Sequence, residues 1–104
     1  MENEYNTSIE QSQLLMGLDL PVSSADGYWG KDSSVHEMNE EIPLSLIISS
    51  GCTPCWSIGN LQQLYEICWN NIDISVFDRM FADDVISCFI EDAQNGYLDF
   101  TRLT

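Results

Sequence analysis

Apolar residues change their spacing several times along the chain, and each change marks a predicted element. Thr7-Ser8-Ile9-Glu10 matches a capping box, with Thr7 as N-cap and Glu10 returning to its amide. This predicts a short helix from Ser8 to Met16. Gly17 offers a left-handed terminal residue, Leu18 folds back on the last turn, and Pro21 bars continuation. Ser23 or Ser24 caps a second short helix through Ala25, Tyr28 and Trp29, weakened by Gly27 and Gly30. Residues 30–42 are polar and acidic and read as a loop.

The second half is more strongly patterned. Leu44 to Ile48 is an apolar run bounded by Pro43 and Ser49-Ser50-Gly51, which predicts a buried strand. Ser57 is a good N-cap. Ile58, Leu61, Leu64, Tyr65 and Cys68 then recur at helical spacing, the clearest amphipathic helix in the sequence. Asn70-Asn71 stops it. Ile72, Ile74 and Val76 alternate with Asp73, Ser75 and Phe77, the pattern of a half-buried strand. A last helix covers about Ala82 to Gln94, with Val85, Ile86, Phe89, Ile90 and Ala93 inward and Asn95-Gly96 as its C-cap. The tail from Tyr97 to Leu103 forms an edge strand or packs an aromatic against the core. Together these elements predict an α+β fold, a single small domain over 7–104. Three to four helices pack on a two- or three-stranded sheet, and residues 1–6 form a flexible N-terminus.

Length fits that picture, because 104 residues allow one domain with one modest core. The apolar fraction of 44% is globular, and no apolar run approaches the ~18 residues of a membrane span. The acidic start, Met1-Glu2-Asn3-Glu4, lacks a signal peptide's basic region, so the expected location is cytoplasmic.

Charge changes the picture most. The 17 acidic and 3 basic residues give a net charge of −14. An average chain of this length carries about 26 charges, roughly half of them basic. The carboxylates exceed that expectation by about four, while the cations fall short by about ten. The acidity therefore comes mostly from the missing cations; only Lys31, Arg79 and Arg102 are present. This excludes a phosphate-tracking nucleic-acid binder and disfavours anionic membranes.

Three stretches in order carry a resemblance. They are Glu10-Gln11-Ser12 through Gly17-Leu18 to Ala25-Asp26-Gly27-Tyr28-Trp29, then Pro54-Cys55-Trp56-Ser57 with Leu61 and Leu64, then Asn95-Gly96-Tyr97. The set, over about half the chain, resembles a family of small uncharacterised proteins carried by phages and other mobile elements of gut anaerobic bacteria. Its members pair an EQS…LL…GL…TAD-Y-W opening with a P-C/A-W-S-L-x-x-L helix start and a late NGY. The resemblance implies an accessory gene product of a mobile element and implies no activity. Cys52 is not part of the shared pattern, and family members have a longer sheet segment between the central and last helices.

Cys52-Thr53-Pro54-Cys55 is the sharpest local chemistry. Between a predicted strand and a predicted helix it has the placement of a thioredoxin-like redox motif. Cys52 would be the thiolate at the helix N-terminus and Cys55 the resolving thiol. The later cis-proline and an upstream βαβ unit are missing, and an acidic field raises thiol pKa values. Zinc is a second reading, with Cys68, Cys88 and a spare His36. The second Cys pair, however, is split by 19 residues, where structural zinc sites use tight pairs. No nucleophile motif, phosphate loop or cofactor fingerprint is present, so no metal or cofactor is expected.

The function expected is non-enzymatic: a protein that binds a partner with a basic surface, its carboxylates acting as a decoy that imitates nucleic-acid phosphates. Candidate contact residues are Glu37, Glu40, Glu41, Asp83, Asp84, Glu91 and Asp92. Trp69 at the edge of the central helix joins them as an aromatic anchor. The alternative is a small thiol oxidoreductase using Cys52 and Cys55.

Overall fold

The computed structural model describes residues 5–37 and 43–103. Helix α1 (Ile9–Gly17) begins one residue later than the sequence predicts. Ser8 is the N-cap, accepting from the Gln11 amide while the Gln11 side chain accepts from the Ser8 amide. Thr7 is unavailable for capping because it is buried. Its hydroxyl shares a 2.7 Å bond with Ser12 and accepts from the Trp56 amide at 3.0 Å. The left-handed terminal residue is Asp19 (φ 71°), not Gly17. Leu20 N–H returns to the Leu15 carbonyl, so two buried leucines close the turn.

The predicted second helix is replaced by a 3₁₀ turn at Val22–Ser24 and a strand, β1 (Gly27–Trp29). Residues expected as loop supply β2 (Val35–Glu37). β3 (Thr53–Cys55) completes an antiparallel sheet of order β2-β1-β3. Gly27 pairs with Glu37 on one side and Cys55 on the other. A Cβ there would come within 2.9 Å of the His36 carbonyl oxygen and 3.3 Å of Cys55 Sγ, so the central strand starts on a residue without one. Pro54, which lacks an amide proton, sits on an edge strand where that is tolerated.

Two predicted strands are helical. Leu44–Ser49 forms α2, a case where a short apolar run does not separate strand from helix. The alternating run at 72–77 finds no partner strand. Asn71 Oδ1 accepts from the Asp73 amide, Trp69 Nε1 donates to the Ile74 carbonyl, and α4 (Val76–Met80) follows. The two long-patterned helices form where expected, the last one starting at Val85 rather than Ala82. α3 (Ile58–Cys68) is capped by Ser57 and buries Leu61, Leu64, Tyr65 and Cys68. α5 (Val85–Gln94) starts on Asp84 and buries Val85, Ile86, Phe89 and Ile90. It ends at Gly96 with φ 79°. These two helices with Leu15, Leu20, Trp56, Met80 and Leu98 form the core. Among the described residues the protein is an α+β fold of five α-helices and a three-stranded antiparallel sheet.

Residues near both ends of the described chain pair with its body. Asn6 bridges Ser57 and the Ile58 amide donates to the Tyr5 carbonyl, while residues 1–4 of the predicted flexible N-terminus lie outside the described residues. The tail runs through a bridge of Leu98 to Trp69 and a 3₁₀ turn at Phe100–Leu103. Phe100 stacks on Phe89, as the aromatic-packing alternative expects.

The segments around Trp29 and Trp56 meet in one seam. Trp29 Nε1 donates to the Thr7 carbonyl and Trp56 Nε1 to Ser24 Oγ. Asp26 accepts from both the amide and the hydroxyl of Ser57. Each polar atom named there has a partner within the fold.

Candidate functional site

On the β1–β2 hairpin, Asp32, Ser34 and His36 lie together, and the His36 ring stacks on Tyr28 at 5.3 Å. Ser34 Oγ and Asp32 Oδ1 both approach the same ring nitrogen, Nε2, at 3.1 and 3.2 Å. A nucleophile relay needs opposite nitrogens, so this is not a catalytic triad. The hydroxyl of Ser34 and then the His36 ring hold the Asp32 carboxyl down at about 2. The cluster ties the turn together. Beside it, a shallow cavity of about 360 Å³ is lined by Asn6, Asp26, Gly27, Val35, His36, Glu37 and Ser57. The carboxylate of Asp26 there is engaged by Ser57.

The cysteines are arranged unlike a redox pair. Thr53–Cys55 is strand, and three residues of extended chain cover about 10 Å. A disulfide needs Cα atoms within about 7 Å. The element before the motif is helix α2, and α3 starts three residues after Cys55. Cys55 is fully buried, and that burial, with Asp26 adding, pushes its thiol up to about 12. Cys68 is likewise buried and raised to about 11. All four cysteines are free thiols. Among the described residues no three Cys, His, Asp or Glu side chains converge as metal ligands would.

Asp92 is not on the outer side of its helix. It is fully buried. Its Oδ2 accepts from the Tyr65 hydroxyl at 2.8 Å and its Oδ1 from Arg79 Nη2 at 2.9 Å. A carboxylate can enter this core because α4 brings Arg79 over it and α3 brings Tyr65. Asp92 therefore leaves the set of contact residues. Trp69 keeps part of its surface exposed. Its indole is half-buried, lies edge-on to Tyr65 and Tyr97, and spends its N–H on Ile74.

Both residues fasten the segment 72–84 from its inner side. Trp69 holds Ile74, Gln62 Nε2 donates to the Met80 carbonyl at 2.8 Å, and Asp92 holds Arg79. The outer side of the segment is exposed and mixed in character. Ile72 is 99% exposed, Phe77 61% and Phe81 68%. The rings of Phe77 and Phe81, four residues apart, stack with centroids 6.3 Å apart. Asp73, Asp78, Asp83 and Asp84 are interleaved with them and exposed. The segment's single cation, Arg79, is committed to Asp92. The alternating pattern hid this face, because it assigned Ile72 and Phe77 to a half-buried strand. The i, i+4 spacing of Phe77 and Phe81 was the available signal.

The remaining sequence-named residues are dispersed. Glu37 is exposed on edge strand β2. Glu40 and Glu41 lie outside the described residues. Glu91 is exposed on α5, and Asp84 caps that helix through the Ser87 amide and hydroxyl. Only Asp83 and Asp84 belong to the mixed face. The chain matches no protein-family model, no curated protein and no solved structure. Among the described residues no helix is long and apolar enough to cross a membrane.

Proposed function

We propose that this protein is a non-catalytic binding module whose partner is a protein with a basic surface, and that it serves a mobile element as an accessory product. One observation carries the reading. The net charge is −14, and two of the three cations are spent inside the molecule. Arg79 is bound to Asp92. Arg102 donates to the carbonyls of Ile67 and Trp69 at the end of α3 and sits 3.7 Å from Asp99. The carboxylate field thus stands almost uncompensated, which accelerates encounter with a cationic surface and repels nucleic acid and anionic lipid. Such a field imitates phosphates where it is dense enough to occupy a nucleic-acid cleft.

Capture from the native host at low salt, followed by binding measurements across 50 to 500 mM NaCl, tests the reading. The expected partner is basic, its affinity falls at least about tenfold over that range, and duplex DNA competes for it. A partner of neutral or acidic surface whose affinity ignores salt sinks the proposal.

A further inference from the structure

We infer that the outer face of segment 72–84 is a docking surface for a cationic amphipathic segment of another protein. Phe77 and Phe81 make the apolar contact, and Asp73, Asp78 and Asp83 form the ionic rim. The inference rests on the binding role proposed above and assigns it a place and an occupant.

Three observations support it. Ile72, Phe77 and Phe81 are three of the four most exposed large apolar side chains among the described residues. All three fall within ten consecutive positions, on a segment fastened from beneath by Trp69, Gln62 and Asp92. A platform held in this way presents its rings without ordering them at the moment of binding. Charge selects the occupant. A second copy would bring the same carboxylates against themselves, between molecules of net charge −14 each. A lysine or arginine answers both parts of the face, because its methylene stem lies on a phenyl ring while its head reaches a carboxylate. Repeated along one side of a helix with leucine-like residues between, such side chains match paired rings flanked by aspartates. Helix α2 provides the contrast. It exposes Leu46 and Ile48 with no carboxylate among its residues, and so offers grease without charge.

The experiment titrates the ¹⁵N-labelled protein with three probes: an 18-residue leucine–lysine amphipathic peptide, poly-lysine, and a charge-neutral leucine–glutamine analogue. The amphipathic peptide is expected to bind most tightly and to shift amides between 72 and 84. F77S/F81S should weaken it at least about tenfold while leaving poly-lysine binding unchanged. D73N/D78N/D83N should weaken it and flatten its salt dependence. L46S/I48S should do neither. These positions are exposed, so the variants are expected to keep the wild-type fold, checked by circular dichroism; single F77S and F81S variants give the same direction. Equal binding by F77S/F81S and wild type overturns the assignment of this face. In that case salt-sensitive binding leaves the general proposal standing, whereas binding insensitive to salt removes both. Concentration-dependent dimerisation that F77S/F81S abolishes overturns the choice of occupant in favour of a second copy.

Discussion

Asp92 shows how a charge is placed in a core of this size. Its carboxylate accepts from Tyr65 and Arg79, so the buried ion is paired and hydrogen-bonded. Removing one partner leaves the other stranded. D92A should therefore cost about 3–5 kcal/mol, read from urea unfolding, while R79M/D92L should cost less than either single change. Y65F removes a bond to a charged acceptor and should cost about 1.5–3 kcal/mol. The thiols give a second residue-scale prediction. Burial raises Cys55 to about 12 and Cys68 to about 11, against about 8.5 in an unfolded chain. Between those values the unfolded state has released protons that the folded state keeps. The thiols' contribution to stability should be constant from neutral pH to about 8.5 and be lost as pH rises toward 11–12. The urea midpoint from pH 7 to 11 checks this, and C55A/C68A should flatten the alkaline fall. At neutral pH, alkylation should reach half-buried Cys52 well before Cys55 or Cys68.

At the scale of elements, several helix ends are legible and the sheet is not. Ser57 and Asn95-Gly96 are local signals and act where the sequence places them. Thr7 is displaced from its cap by one residue because a nonlocal partner, the Trp56 amide, claims its hydroxyl. The strands are three residues each, too short for a period to show. Their position is set by contacts such as Gly27 against His36 and Cys55. G27A drives a Cβ into a backbone oxygen and should cost about 1–3 kcal/mol. G30A meets only the ends of the Asp32 and His36 side chains and should cost less, a ranking that thermal melts of the two variants decide. Loss of Asp26 uncovers the Ser57 amide at the start of α3, and D26A should cost about 1 kcal/mol.

For the molecule as a whole, the deficit of cations governs behaviour. Like charges repel across a surface where two of three cations are already committed. Screening should therefore stabilise the fold. The melting temperature is expected to rise from low salt to about 0.3 M NaCl, where the screening length is down to about 6 Å. A steady fall over that range contradicts the role given to repulsion. The same deficit fits a basic partner, but it does not place one. The described candidate carboxylates are spread over β2, α5 and the segment 72–84, others lie on α1, α3 and the loops, and one of those expected at the surface is buried. What singles out a face is the coincidence of aspartates with stacked, exposed rings.

The sequence alone determined the chemistry that is summed rather than positioned. Net charge, the want of cations and the two patterned helices α3 and α5 follow from counts and from periods longer than a few residues, whereas the strands of the α+β fold lie where no period predicted them. Tertiary structure decided whatever depends on a partner far along the chain. It turned two apolar runs into helices, built a sheet from a predicted helix, a loop and the cysteine motif, and set Cys52 and Cys55 apart along extended chain. It also drew Asp92 inward by supplying Arg79 and Tyr65 from other helices, and left Phe77 and Phe81 outside because no strand was there to cover them. A side chain's type is fixed where it stands in the sequence, but its exposure depends on which neighbours the rest of the chain delivers.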